Sequence, residues 1–154
     1  MQYLKVEYES LVNWRLLIDH LRCNPNFQNA PRYDHIIYQL DSHQMQFAQL
    51  KLIFVLEING AKYPLVFVEA LDVPQGRRTE LDQDLQLCRL RPCRNPHRCL
   101  FLPAQAIVRG ALIMEDPAAK DVRSAVGRED KLVIDTIDTD MFLRIRENFP
   151  TWAS

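Results

Sequence analysis

The apolar positions near the N-terminus follow a helical period. They recur at steps of three and four residues, at Leu11, Trp14, Leu17, Ile18 and Leu21. Residues at these steps share one face of a helix. Asn24-Pro25 would end that helix, because proline lacks the backbone N–H that a helix needs. The pattern predicts an N-terminal helix over about residues 10–23, with Trp14 buried against the rest of the protein.

From residue 35 onwards the apolar residues form short β-branched and aromatic runs. These runs are HIIYQL (35–40), FAQLKLIFVLEI (47–58), KYPLVFVEAL (62–71), LQLCRL (85–90), RCLFLP (98–103), RGALIME (109–115) and KLVIDTI (131–137). Asn59-Gly60 separates the second run from the third, and both residues tolerate the positive φ that a tight hairpin turn requires. Seven short strands separated by turns predict a small, curved antiparallel sheet or an SH3-like barrel over about residues 35–137.

The stretch DTDMFLRIRENFP (138–150) carries the signals of a short helix. Asp138 or Thr139 can cap its N-terminus, and Pro150 would stop it. The prediction is a closing helix over about residues 139–148. Three of its residues would cover one mouth of the barrel: Met141, Phe142 and Ile145. The predicted fold class is mostly β with flanking helices (α+β), in a single domain that spans residues 1–154.

Composition narrows the class of protein but names no partner. The 154 residues are 47% hydrophobic and 25% charged, which is typical of soluble globular proteins. The apolar runs are too short for a membrane span, and the first residues, MQYLKVEYES, lack the pattern of a secretory signal. We therefore expect an intracellular protein with reduced cysteines and no membrane partner.

The formal net charge of −1 hides an uneven distribution. Between Arg77 and Arg109 the chain has seven arginines and three acidic residues, whereas from Gly110 to Asp140 it has eight acidic and four basic residues. The basic segment can bind an anionic partner, or the two segments can pair with each other.

Three cysteines and a histidine are concentrated in CRLRPCRNPHRC (88–99), at Cys88, Cys93, His97 and Cys99. Cysteine and histidine are the preferred ligands of structural zinc, which they hold in a tetrahedron. The spacing C-x4-C-x3-H-x-C matches no standard zinc site, and in a strand the last two ligands would point to opposite faces. Reduced thiols that flank a hairpin are therefore the favoured interpretation, and the sequence predicts no metal and no other cofactor.

The same region carries six arginines, at Arg77, Arg78, Arg89, Arg91, Arg94 and Arg98. Along one edge of the sheet they could bind the phosphates of nucleic acid through charge-assisted hydrogen bonds. Two other interpretations stay open. The arginines can form a solvated edge that discourages aggregation, or they can pair with the acids of residues 110–140.

Asp135, Asp138 and Asp140 invite comparison with metal-dependent hydrolases, which hold cations between carboxylates. Asp138 and Asp140 are better explained as the cap and the first-turn acid of the closing helix. The sequence also contains no G-x-S-x-G, no phosphate-binding glycine loop and no H-E-x-x-H. We therefore expect a non-catalytic module, and no small-molecule substrate is indicated.

Three parts of the chain together resemble a known family. They are VEYESLVNWRLLIDHLRCNPNFQNAPRYD (6–34), FVEALD (67–72) with LDQDLQLCRLRP (81–92), and IVRGALIMEDP (107–117) with VIDTIDTDMFLRI (133–145). These stretches are similar to a domain of mushroom-forming fungi that occurs in proteins encoded by or derived from KDZ-type DNA transposons. The resemblance implies a transposon-derived protein and a nuclear site of action, without implying an activity. The order of the strands is also similar to that of bromo-adjacent homology modules and of Tudor or SH3-like barrels of chromatin readers.

Three hypotheses of function result. The first is a transposon-derived interaction module that docks nucleic acid or chromatin through the six arginines. The second is a structural or protein-binding domain whose basic and acidic segments pair with each other or with a second copy. The third is a metal-assisted hydrolase fragment that uses Asp135, Asp138 and Asp140.

Overall fold

The computed structural model describes residues 3–41, 44–94, 98–117 and 129–153. The protein is mostly β, as expected, and its elements stack in three layers. A three-stranded N-terminal sheet lies on one face of an eight-stranded antiparallel sheet, and two C-terminal helices lie on the opposite face. The strands are β1 (Tyr3–Glu9), β2 (Leu16–Phe27), β3 (Ala30–Tyr33), β4 (His35–Tyr38), β5 (Gln46–Ile58), β6 (Ala61–Asp72), β7 (Cys88–Pro92), β8 (Cys99–Pro103), β9 (Ile107–Ala111), β10 (Ile113–Glu115) and β11 (Lys131–Val133). The helices are α1 (Glu80–Asp84), α2 (Thr139–Asn148) and α3 (Pro150–Ala153), and a single 3-10 turn spans Ala104–Ala106.

The predicted N-terminal helix is wrong, because residues 10–23 form a turn and most of strand β2. β2 pairs with β1 in antiparallel register, with Leu4 opposite Leu21. The helical spacing is not the spacing of this strand, because Leu17 and Leu21 lie on one side of β2 and Ile18 on the other. β2 buries Leu21 and Cys23 against the larger sheet, and this tertiary contact outweighs the helical pattern.

Trp14 lies outside the core, and the prediction that it is buried is wrong. Its side chain is 70% exposed, and its backbone has a φ of 58°. It belongs to the turn between β1 and β2, where the Trp14 amide donates to the Ser10 carbonyl and the Ser10 amide donates to the Arg15 carbonyl. A chain that reverses in this way cannot present Trp14 on a helical face.

Asn24-Pro25 lies within β2 rather than at the end of an element. The register between β2 and β3 shifts between Asn24 and Phe27, and such an irregularity tolerates the missing N–H of Pro25. The chain then reverses at Gln28 and Asn29, which both have positive φ, at 49° and 66°. This stretch is therefore a second hairpin.

The larger sheet contains the predicted strands of the second part of the chain. Its strand order is β10-β11-β7-β6-β5-β4-β9, and β8 pairs with β6 beside this path. The hairpin between β5 and β6 is confirmed, since Asn59 and Gly60 form its turn with φ values of 51° and 79°. Among the described residues the sheet is open, and they form no closed barrel.

Two hydrophobic clusters cover the two faces of the larger sheet. Ile36 and Tyr38 belong to the cluster under the N-terminal sheet, whereas Ile37, between them on β4, belongs to the cluster under the C-terminal helices. This alternation is the period of a strand that is covered on both sides. β4 and the first half of β5 therefore form the centre of the fold.

The N-terminal sheet approaches β9 closely at Gly110. The Gly110 amide donates to the Asp19 carboxylate, with an N–Oδ2 distance of 2.8 Å. A Cβ atom at this position would lie 2.8 Å from Cδ2 of Leu21. Only glycine fits between the two sheets here without displacing Leu21.

The closing helix is confirmed as α2. Asp138 caps it, since its side chain accepts a hydrogen bond from the Met141 amide. Met141 and Ile145 are buried in the cluster on the larger sheet, whereas Phe142 is 37% exposed. Pro150 ends α2 as predicted and also starts α3, whose Trp152 stacks on Phe149 at a ring-centroid distance of 5.1 Å.

Candidate functional site

Five of the six candidate arginines line one cleft of about 1030 Å³: Arg77, Arg78, Arg89, Arg91 and Arg94. Its walls come from the loop of residues 73–79, from the residues just before and at the start of β5, from β7 and from α3. The sixth, Arg98, lines a second and smaller cleft. The fold therefore brings most of the six candidate arginines together. They line a recess, whereas the sequence predicted that they would lie along one edge of the sheet.

Arg89 lines this cleft and is the centre of a cluster of three carboxylates, of which Asp82 lines the same cleft and the other two line the second cleft. Arg89 forms a two-point contact with Asp82 and also donates to Asp116 and Asp130. The hydrogen bond from Arg89 holds the pKa of Asp82 below its usual value, and the same contact raises the pKa of Arg89. The side chains of Arg89 and Asp82 are 15% and 6% exposed, so the pair is largely removed from water.

Arg91 and Arg98 also pair with acidic residues. Arg91 donates from Nε to Oδ1 of Asp130 at 3.0 Å. Arg98 pairs with Glu69 and, at 3.2 Å, with Glu129. The basic segment thus pairs with acids that precede β11, as one of the interpretations of the charge pattern anticipated.

Arg78 is a structural residue of the cleft wall. Its guanidinium donates to the carbonyls of Trp152, Asp82 and Leu87, at 3.3, 2.7 and 3.2 Å. These bonds tie α3 to α1 and to the residue just before β7. Arg78 therefore keeps the recess open in a fixed shape while adding a positive charge to it.

Arg77 and Arg94 are the two arginines of the cleft that face solvent. Within the part of the chain that the structure describes, neither side chain has an ion-pair or hydrogen-bond partner. They are the members of the predicted group that stay available for an anionic ligand.

The cysteines lie in different environments. Cys88 is buried, and burial raises the pKa of its thiol to about 12, so it stays protonated. Cys93 is partly buried and Cys99 is exposed at the start of β8, while His97 lies outside the described residues. Over residues 3–41, 44–94, 98–117 and 129–153, no three His, Cys, Asp or Glu side chains are grouped as metal ligands would be.

Asp138 and Asp140 belong to a network with Arg109 and Arg144. The Asp140 carboxylate accepts from Arg109 at 2.6 Å, from Arg144 at 2.7 Å and from the Leu11 amide at 2.7 Å. Burial raises the pKa of Asp140, but these hydrogen bonds outweigh it and leave the pKa below its usual value. The network joins α2, β9 and the turn after β1, so the two acids act as structural groups.

Sequence reasoning missed an exposed apolar face on the larger sheet, formed by β5, β6 and β8. We call it the apolar face; its exposed members are Leu52, Leu56, Ile58, Tyr63 and Phe101, between 42% and 66% exposed. Strand pairing places Leu52 opposite Phe67, and Phe67 opposite Phe101, on one side of the sheet. The signal in the sequence was the unbroken run LIFVL (52–56), because a strand with one solvated face alternates with polar residues.

The apolar face continues the surface on which the C-terminal helices pack. Phe47 and Leu71 lie under those helices. The ion pair of Lys51 and Glu69 lies further along the same side of β5 and β6, with an Nζ–Oε2 distance of 2.9 Å. Beyond this ion pair, Phe101 contacts Phe67 at a ring-centroid distance of 4.8 Å. The helices therefore cover only part of a side whose apolar character extends to the tip of the hairpin.

A second group of exposed apolar residues lies on the outer side of the N-terminal sheet. Leu16 and Ile18 are 73% and 51% exposed. They pair across the strands with Glu9 and Glu7, so charged and apolar side chains alternate there. This outer side resembles an ordinary solvated sheet more than the apolar face does.

Comparison with known proteins gives no relative: the chain matches no protein-family model, no curated protein and no solved structure. None of the helices in the described parts of the chain is long and apolar enough to span a membrane.

Proposed function

We propose that this protein is a non-catalytic protein-interaction module that binds its partner through the apolar face of β5, β6 and β8. The observation that carries the proposal is the continuity of this face. Leu52, Leu56 and Ile58 are each at least 42% exposed on one side of a single strand. Contiguous apolar surface of this kind on a folded domain marks an interaction site.

The size of the face agrees with this proposal. The apolar face has five exposed side chains, each about half exposed. With a full accessible area of roughly 200 Å² for each side chain, they offer on the order of 500 Å² of apolar surface. Phe54, Leu65 and Phe67 are partly exposed on the same side and add to it. A specific interface buries about 800 Å² per partner, including its polar rim.

The chemistry of the face favours a second copy of this chain as the partner. From Leu52 to Ile58 and from Ala61 to Phe67, the side that carries Leu56 and Tyr63 has no charged residue. Such a face can pack on itself about a two-fold axis without opposing like charges. Two sheet faces packed in this way interdigitate their side chains at a spacing of about 10 Å.

Sedimentation equilibrium of the purified protein tests this proposal. We expect a monomer–dimer equilibrium that Leu56→Asp shifts strongly towards the monomer, because each interface would bury two unpaired carboxylates. Val55→Asp is the matched control: Val55 is 44% exposed against 42% for Leu56, but it lies on the opposite side of β5. A protein that stays monomeric at every concentration, or equal effects of the two variants, would contradict the proposal.

Docking of nucleic acid or chromatin is the second candidate function. The observation in its favour is that Arg77 and Arg94 face solvent in the cleft without partners among the described residues. As part of this second candidate function, we propose that the protein has a transposon-derived origin, a nuclear location and the topology of an SH3-like reader. Arg89, Arg91 and Arg98 have a smaller part in it than the sequence predicted, because acids already occupy their guanidinium groups.

A gel shift on DNA and RNA at several salt concentrations tests the second candidate. If Arg77 and Arg94 contact phosphates, the double variant Arg77→Ala/Arg94→Ala lowers the salt slope by about 0.9 for each lost contact on duplex DNA. Absence of binding at low salt by the unmodified protein would contradict it.

A further inference from the structure

We infer that the arginine-lined cleft is a binding site for a compact phosphate-bearing ligand of about nucleotide size, held by Arg77 and Arg94. This inference does not depend on the apolar face, because none of the exposed residues that define that face lines the cleft.

The cleft keeps a positive charge after its internal ion pairs are counted. Its lining has five arginines and two aspartates, Asp72 and Asp82. Arg89 and Arg91 pair with three carboxylates, those of Asp82 and, outside the lining, of Asp116 and Asp130. Arg77, Arg78 and Arg94 then face one further acid of the lining, Asp72. What is left is a positive recess in which Arg77 and Arg94 are not yet paired with any described residue.

The fold itself fixes the shape of the recess. The loop of residues 73–79 reverses at Gly76, which has a φ of 106° that favours glycine. Three hydrogen bonds from Arg78 to backbone carbonyls then hold this loop against α3 and the start of β7. A site whose walls are fixed in advance loses little entropy when it binds a ligand.

The side chains of the lining indicate the class of ligand. A guanidinium matches the oxygens of a phosphate with paired hydrogen bonds, so arginine is the preferred residue for this group. The aromatic residues of the lining, Phe47, Phe149 and Trp152, are at most 6% exposed and provide no surface on which a base can stack. Recognition therefore rests on the phosphates rather than on the base.

The volume of the cleft sets the size of the ligand. At about 1030 Å³ it lies at the upper end of the range of small-molecule sites. A protein binds a nucleic-acid duplex best with a protruding element or an extended basic edge. In this protein the arginines converge in a recess instead. A diphosphate or a mononucleotide fits these features.

Calorimetric titration with pyrophosphate, ADP and adenosine tests the inference, at low ionic strength. We expect pyrophosphate and ADP to bind with similar affinity and adenosine not to bind. In a Trp14→Phe background, Trp152 is the remaining tryptophan, and its fluorescence places any binding in the cleft. Arg77→Gln and Arg94→Gln should each weaken binding about tenfold or more, since each removes a charge-assisted contact.

Arg15→Gln is the control, because Arg15 is an exposed arginine in the turn between β1 and β2, outside the cleft lining. It removes the same charge and should leave binding unchanged. Three results would overturn the inference: no heat with pyrophosphate or ADP, equal weakening by Arg15→Gln, or binding of short single-stranded DNA without binding of the small phosphates. The last result would support the nucleic-acid candidate instead.

Discussion

Arg89 and Asp82 form a two-point ion pair in which the Nε–Oδ2 and Nη2–Oδ1 distances are both 2.8 Å. The same guanidinium reaches Asp116, after β10, and Asp130, before β11. The Asp116 amide also donates to the Asp130 carbonyl at 3.0 Å. Arg89, one of the candidates for nucleic-acid binding in the sequence, thus joins α1 and β7 to the two chain segments next to β10 and β11.

We predict that Arg89→Ala lowers the free energy of unfolding by about 3–5 kcal/mol, because it leaves largely buried carboxylates without a counter-charge. Urea denaturation measures this loss. Arg77→Ala is the control and should change stability by less than about 0.5 kcal/mol, since Arg77 is exposed. Equal stability of the two variants would show that the carboxylate cluster contributes little to the fold.

His35 should make stability depend on pH above about 5, where the carboxylates contribute little. Burial lowers the pKa of His35 to about 4 from 6.5, and its buried Nε2 has no hydrogen-bond partner among the described residues. Between these two pH values the unfolded chain binds more protons than the folded one, so stability falls as pH decreases from 6.5 to about 4. The loss over the whole window is about 3 kcal/mol.

Urea denaturation at a series of pH values checks this expectation. His35→Gln should flatten the dependence in that window, whereas His20→Gln, at an exposed position, should retain it. A slope that survives in His35→Gln would assign the dependence to another group.

Gly110→Ala should cost about 1–3 kcal/mol, because the new methyl group would lie 2.8 Å from Cδ2 of Leu21. A double-mutant cycle with Leu21→Val tests the cause, since valine removes the outer methyl groups of Leu21. We expect Gly110→Ala to cost less in the Leu21→Val background. If the two effects are additive, the contact between the sheets at Gly110 does not produce the loss.

The two tryptophans should respond differently to truncation. Trp14→Ala should change stability by about 0.5 kcal/mol or less, because Trp14 is 70% exposed. Trp152→Ala should cost about 3–5 kcal/mol, since Trp152 is 6% exposed and packs against Phe149 and Phe47. A large loss in Trp14→Ala would contradict the position of the turn between β1 and β2.

The parts of the fold that the sequence predicted correctly rest on local chemistry. Asn59-Gly60 has the φ values of a tight turn wherever two strands flank it. Asp138 caps α2 through a hydrogen bond to a residue three positions away. By contrast, the spacing of Leu17, Ile18 and Leu21 indicates a helix, yet these residues lie in β2, because pairing with β1 and packing on the larger sheet outweigh the local pattern.

The candidate site could be predicted only in part. Arg77 to Arg94 converge because β7 and the loop before α1 form the same cleft. The partners of Arg89 are 7 to 41 residues away along the chain, so no local pattern indicates that its charge is already satisfied. The apolar face depends on strand register, which brings Phe101 beside Phe67, and register is set by tertiary structure.

Methyl NMR over a dilution series tests the central claim, that the apolar face binds a second copy, most directly. We expect the methyl shifts of Leu52, Leu56 and Ile58 to change with concentration, while those of Val55, on the opposite side of β5, stay constant. Methyl shifts that do not depend on concentration, or changes confined to Leu16 and Ile18 on the N-terminal sheet, would contradict it.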